Sequence, residues 1–250
     1  MKTIHTFFLS LALLTAVSCT DNNEEDPSAA IGIATEEAAE IVGTSLASSS
    51  AGLVGMTTET ASTSAEVIET NAANLCALEE DSTFSWASQA ASPISFSAEL
   101  SYSYAISCNA VNLPESIAFD LTYSSSFDGA RMASSNTGGS NWTLTSLNAL
   151  YTSFELNGTY SRTGTFESKI WRKSTTNATA NFVLDGLVLD LPTESITSGT
   201  ATYTLAGTGP QGNPYSLEGT VTFIGQGKAT VVVQGRSFMV DLETGEITEL

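Results

Sequence analysis

The sequence predicts a mainly β protein of α+β composition. Its architecture is an antiparallel meander, either a curled half-barrel or a sandwich, with an N-terminal helical hairpin packed on it. Three observations predict this. From Ile94 onward, apolar residues recur at every second position, the period of a strand with one buried and one wet face. Short Gly-, Asn- and Pro-rich turns separate these segments, too short for the crossovers that parallel strands need. Between Thr35 and Leu75 the apolar residues instead recur at helical spacing.

Met1-Lys2 is a short basic start. Ile4 to Val17 is apolar apart from His5, Thr6, Ser10 and Thr15, and small residues lead into Cys19. Basic flank, short apolar stretch and small residues make residues 1–18 a secretory signal. Residues 19–33 read as an acidic, extended tether, too polar to bury apolar surface. The helical hairpin is expected over 34–78 and the β domain over 79–250.

The first helix is expected over Thr35 to Ser49. Ala38, Ile41, Val42, Ser45 and Leu46 form one weakly apolar stripe, and Glu36 and Glu37 sit where the helix dipole favours acids. The second is expected from Ser64 to Leu75, with Thr63 and Glu66 at capping-box spacing and Ala61, Ala65, Ile68, Ala72 and Leu75 buried.

Ile94, Phe96, Ala98, Leu100, Tyr102, Tyr104, Ile106 and Cys108 alternate with small or polar residues. At ~3.3 Å per residue this strand would span roughly 50 Å, which predicts a bend or bulge. Ile117 to Phe127 repeats the alternation and Asp128-Gly129 offers a turn. Ser134 to Ser140 reads as a polar loop and Trp142 to Leu147 as a weaker strand. Leu150, Phe154, Leu156 and Tyr160 continue, followed by Phe166 to Arg172. Ala178 to Asp190 is apolar on both faces, with Phe182, Leu184 and Val188 opposed to Val183, Leu187 and Leu189, so it reads as covered on both sides. Later strands lie around Tyr203, Val221, Val231, Val240 and Ile247, separated by the loop Gly209 to Pro214 and the turns Gly225-Gln226-Gly227, Gly235-Arg236 and Glu243-Thr244-Gly245.

Composition narrows function. The only histidine is His5, inside the signal, so the mature chain lacks the commonest general base and metal ligand. No cofactor or metal is implied. The net charge of −19 repels nucleic acid, which is excluded as a partner. With Cys19 acylated, Cys76 and Cys108 remain, and two thiols in an oxidising compartment pair. The loop they close is worth roughly 3–4 kcal/mol.

Other candidate sites are weaker. Asp185, Asp190 and Glu194 could form an acid pair or a calcium site. No Asp-x-Asp-x-Asp-Gly loop accompanies them, and solvated turn acids explain them as well. Trp142 and Trp171 are candidate ligand contacts, as sugar-stacking platforms; the plainer reading packs them at an edge or under a helix. Asp81-Ser82-Thr83 resembles the short acidic Ser/Thr signal for O-glycosylation in Bacteroidota, which makes Ser82 a candidate.

Cys19 followed by Thr20-Asp21-Asn22-Asn23-Glu24-Glu25-Asp26 resembles the leader of surface-exported lipoproteins of Bacteroidota. In those, the Cys is lipidated and the acids after it act as an export signal. Ala16 stands where the lipobox usually carries Leu. The rest resembles, more loosely, uncharacterised lipoproteins of the same bacteria: an Ala/Ser-rich helical start, two cysteines bracketing the first strand, and a closing hairpin, Phe238 to Ile247. The resemblance implies a lipid-anchored outer-membrane protein exposed at the cell surface, and no activity.

Three functions follow as expectations: a non-enzymatic structural or ligand-binding surface lipoprotein, a glycan-binding accessory lipoprotein, or a carrier of lipid or another hydrophobic ligand. The first needs a full core, the second aromatics exposed on one face, the third an apolar cavity lined by Phe96, Leu100, Tyr102 and Phe119. Membrane contact through Cys19 is common to all three, with a protein or glycan as further partner.

Overall fold

The computed structural model describes residues 32–70, 75–76, 78–89, 92, 94–147, 152–170 and 173–250. Two helices, α1 (Thr35–Leu46) and α2 (Leu53–Thr70), are joined by a short 3-10 turn, Ser48–Ser50. Eleven strands follow: β1 (Glu79–Ala87), β2 (Ser95–Cys108), β3 (Pro114–Asp128), β4 (Met132–Thr145), β5 (Ser153–Ser168), β6 (Thr175–Asp190), β7 (Ser195–Thr208), β8 (Pro214–Gly225), β9 (Lys228–Val233), β10 (Arg236–Asp241) and β11 (Ile247–Glu249). They form one antiparallel sheet in sequence order, a meander whose two edges do not pair. The helices pack against it.

α1 is the axis of the curl. Every residue of it except Glu36 is buried. Its side chains meet both halves of the sheet: Glu40 binds Arg131 beside β4, Glu37 binds Thr176 of β6, and Thr35 donates to Gln234 after β9. A helix enclosed on all sides has no wet face to keep polar, which explains Ala38, Ala39 and Gly43 around its circumference. At Gly43 a Cβ would stand 2.6 Å from the Gly245 carbonyl, so only glycine permits that approach. The helices pack against the sheet as expected, and α1 is buried well beyond the single apolar stripe read from its sequence.

α2 starts earlier than expected. Thr63 and Glu66 therefore lie mid-helix and form no cap. Thr57, Thr60 and Ser64 sit in its buried stripe and donate to the carbonyls of Val54, Met56 and Thr60, so their hydroxyls are satisfied without water. A buried stripe built from hydroxyls has low hydropathy, which is why the apolar pattern alone began the helix too late.

The strands of the central sheet are long, and their register holds. β2 keeps one register against β3 from Ser95 to Ser107, and the irregularity expected in so long a strand falls at its end, between Ser107 and Cys108. β1 was not visible as a strand; Phe84 and Trp86 share a face but the acids before them hide the alternation. Ser134 to Ser140 is not a loop but the middle of β4, paired on both sides. Its inward positions are small because other groups occupy that space. A Cβ on Gly138 would meet Tyr123 Oη at 2.6 Å. Tyr203 and Tyr215 lie likewise over their cross-strand partners Gly219 and Gly207, the arrangement by which an aromatic ring shields a strand glycine.

β6 is not covered on both faces either. A bulge at Asp185-Gly186 shifts its register against β5 and β7, and Gly186 takes φ +59°. One extra residue reverses the parity. Phe182 and Leu184 before the bulge and Leu187 and Leu189 after it all turn inward, while Val183 stays 56 % exposed. Tyr123, Tyr160, Phe182 and Tyr203 then form a ring ladder across β3, β5, β6 and β7, with neighbouring centroids 5.8–5.9 Å apart, a cross-strand packing worth about 0.5–1.5 kcal/mol per aromatic pair.

Candidate functional site

The interior is occupied and its charges are committed. Arg162 of β5 is fully buried. It donates to the carbonyls of Ser50 (3.1 Å) and Thr44 (3.4 Å) and to the hydroxyls of Ser50 and Ser134. With its amide oxygen turned toward the guanidinium, Asn136 accepts from Nε and Nη2 at 3.1 and 2.8 Å. A cation at the carbonyl end of a helix is favoured by the helix dipole, and Arg162 uses this to hold the end of α1. Glu37 accepts from Ser174 and Thr176 at 2.7 and 3.1 Å, and Glu40 from Arg131.

Beside Arg162, Tyr123 donates to the Tyr160 hydroxyl at 2.7 Å. Burial pushes both phenols above their ordinary range; the adjacent Tyr160 raises Tyr123 further, while the Arg162 cation pulls both down. At neutral pH the pair is a donor–acceptor link, not a base.

Binding capacity lies outside. Across β1 to β5 the outward face forms a trough of about 870 Å³ lined by Ser97, Ser124, Ser126, Ser135, Thr137 and Thr163, with Glu99 at its side and Trp86 at its edge. Registry builds it: Ser97, Ser126 and Ser135 lie opposite one another in one cross-strand row, and Glu99, Ser124, Thr137 and Thr163 in the next. Ser97 and Ser126 share a hydrogen bond of 2.8 Å. Apart from Glu99, such rows offer donors and acceptors without charge. On the inward side of the same edge, Phe84 stacks on Trp86 at 5.1 Å and meets Tyr102 at 6.0 Å. All three rings are half-buried. Below them the edge turns acidic: Glu79, Asp81 and Asp120 line a second, 470 Å³ trough, and Tyr104 donates to Glu80.

Of the residues singled out by sequence, Cys76 and Cys108 are bonded, with Cα atoms 5.5 Å apart. The bond ties the segment after α2 to the end of β2; Cys76 does not end a helix. Ser82 is exposed on β1. Trp142 is 1 % exposed, inside the core, and is withdrawn as an exposed platform; its indole lies among the inward residues of β4 because it shares parity with Leu144. Cys19 and Trp171 lie outside the described residues. Asp185 sits in the β6 bulge, and Asp190 accepts from Thr193 within its own turn. Among the described residues no group of three acids, cysteines or histidines is placed to hold a metal ion. Of the four residues expected to line an apolar cavity, Leu100 and Phe119 are 1 % and 3 % exposed, and Phe96 and Tyr102 are half-buried. Phe84 and Trp86, half-buried beside Tyr102, were missed. Their signal was the alternation Phe84-Ser85-Trp86, three residues long and easily overlooked.

No described helix is long and apolar enough to cross a membrane. No family model matches the chain, and neither curated proteins nor solved structures provide a match.

Proposed function

We propose that this protein is a non-enzymatic, lipid-anchored lipoprotein of the bacterial outer membrane, displayed at the cell surface as a rigid binding body. The anchor rests on the leader, Met1 to Cys19, and surface display on the acids Asp21 to Asp26. The observation that carries the binding role is the division of labour between the two faces. Inside, α1 fills the curl, and Glu37, Glu40 and Arg162 all serve to hold it. Outside, the groups able to meet a partner are the hydroxyl rows of the β1–β5 trough. Among the described residues α1 takes the inside of the curl, which favours a surface binding role over a carrier of hydrophobic ligands.

The trough favours one ligand class within that reading, a neutral glycan. Polyhydroxyl chains match a surface whose donors and acceptors are mostly uncharged hydroxyls, with Glu99 as an added acceptor at its side. Radioactive fatty-acid labelling tests the anchor: label should enter the wild type and be absent from Cys19→Ala, and label persisting in the variant refutes it. Replacing Asp21, Glu24, Glu25 and Asp26 with Ser should abolish protease shaving of intact cells. Titration with neutral polysaccharides tests the trough. Thr137→Lys, which fills its centre, should abolish any binding; binding unchanged in that variant removes the trough from the reading.

A further inference from the structure

We propose that β1 is a self-association edge: two copies of this chain join through their β1 strands, antiparallel and centred on Thr83. The proposal stands apart from the glycan reading.

β1 is hydrogen-bonded to β2 on one side. Among the described residues, no backbone group of Glu79–Ala87 bonds to any other element. The strand is nine residues long, contains no Pro, Lys or Arg, and carries half-buried Phe84 and Trp86 on one face. Such an edge is a template for a further strand.

Its charges select the occupant. Glu79, Glu80 and Asp81 all lie at one end, and residues 82–87 are uncharged. A parallel, in-register partner would set each acid against its own copy, and like charges opposite one another are destabilising. The antiparallel register centred on Thr83 sets Glu79 against Ala87, Glu80 against Trp86 and Asp81 against Ser85, so every acid meets a neutral residue. A shift by one residue would pair an inward position with an outward one and reverse the faces. The centred register uses the full strand, keeps faces matched, and brings the Phe84–Trp86–Tyr102 strip of each copy alongside the other. The acids thus disfavour parallel pairing, and of the face-matched antiparallel registers the one centred on Thr83 alone uses all nine residues.

The test uses the full chain in detergent, followed by sedimentation, with two exposed positions altered. The wild type should dimerise at micromolar concentration. Ser85→Asp places an acid opposite Asp81 twice in the dimer and should raise the dissociation constant about 2- to 30-fold; Ser85→Lys should lower it. Thr83→Cys places two thiols on the two-fold axis with Cα atoms about 4.5–5.5 Å apart, within disulfide reach. Under mild oxidation it should cross-link, and the wild type treated identically should not. A monomer throughout the concentration range overturns the proposal. So does a dimer that neither responds to Ser85→Asp nor cross-links through Thr83→Cys.

Discussion

The Arg162 guanidinium meets the Ser50 carbonyl at 3.1 Å, across 112 positions of chain. It joins the middle of β5 to the turn between the helices. Because Arg162 also reaches Thr44 at the end of α1, one side chain holds the helix inside the sheet. Arg162→Leu would leave the Ser50 carbonyl buried without a donor, while the Thr44 carbonyl keeps the Ser50 hydroxyl. Such a loss costs roughly 1–3 kcal/mol, and the variant should be destabilised by about that much. Urea unfolding of the two proteins measures this; an unchanged midpoint would show that the guanidinium is dispensable.

Glycine in the middle of β4 is equally specific. Gly138→Ala drives a Cβ against the Tyr123 ring and the Ser161 carbonyl and should cost about 3 kcal/mol by overpacking. Gly212→Ala, with φ +80° but nothing within 4 Å, should cost only the ~1–2 kcal/mol of a left-handed alanine. Thermal melts of both, side by side, separate the two causes. Equal losses would contradict the packing argument.

Glu59 on α2 is held above its ordinary value of 4.5, first by burial and then by the nearby Glu194 carboxylate. An acid whose folded pKa is raised favours the fold in its neutral form. That contribution is complete below the unfolded pKa and is lost as pH rises through the folded one. Glu59→Gln keeps the neutral form at every pH. It should therefore raise the melting temperature near neutrality relative to wild type, with the difference closing well below pH 4.5. Melting curves across that range decide it, and a variant less stable at neutrality would refute the shift.

The Cys76–Cys108 bond closes a separation of 32 residues, worth about 3–4 kcal/mol in the chain-entropy model. The bond grips the segment entering β1, whereas α1 is held by Arg162, Glu37 and Glu40. Reduction should therefore expose β1 first and leave α1 protected. Hydrogen exchange with and without reductant reports the order. Early loss of protection in Thr35–Leu46 would place the bond's effect on the helix instead.

Much of the β topology was legible in the sequence, because a two-residue period and short turns are local properties. Two-residue turns such as Gln226-Gly227 and Gln234-Gly235, both at positive φ, enforce hairpins wherever they fall. The pairing of Cys76 with Cys108 also follows from the chain alone, once Cys19 is assigned to lipid. The trough was not legible. Its hydroxyls are spread over five strands, and only register aligns Ser97, Ser126 and Ser135.

What the sequence by itself determined is the antiparallel order of the strands and the helical start, since both depend on neighbours a few residues apart. Tertiary structure alone decided what lies inside. Ser134, Asn136 and Gly138 read as a loop because their core-facing space is filled by Arg162 and Tyr123, from other strands. The inward turn of Leu187 depends on a bulge stabilised by β5 and β7. The burial of Glu37, Glu40 and Arg162 is tolerable only because their partners arrive from distant parts of the chain. Buried polar groups are stable when paired, and long-range pairing is a property of the folded sheet that no local pattern records.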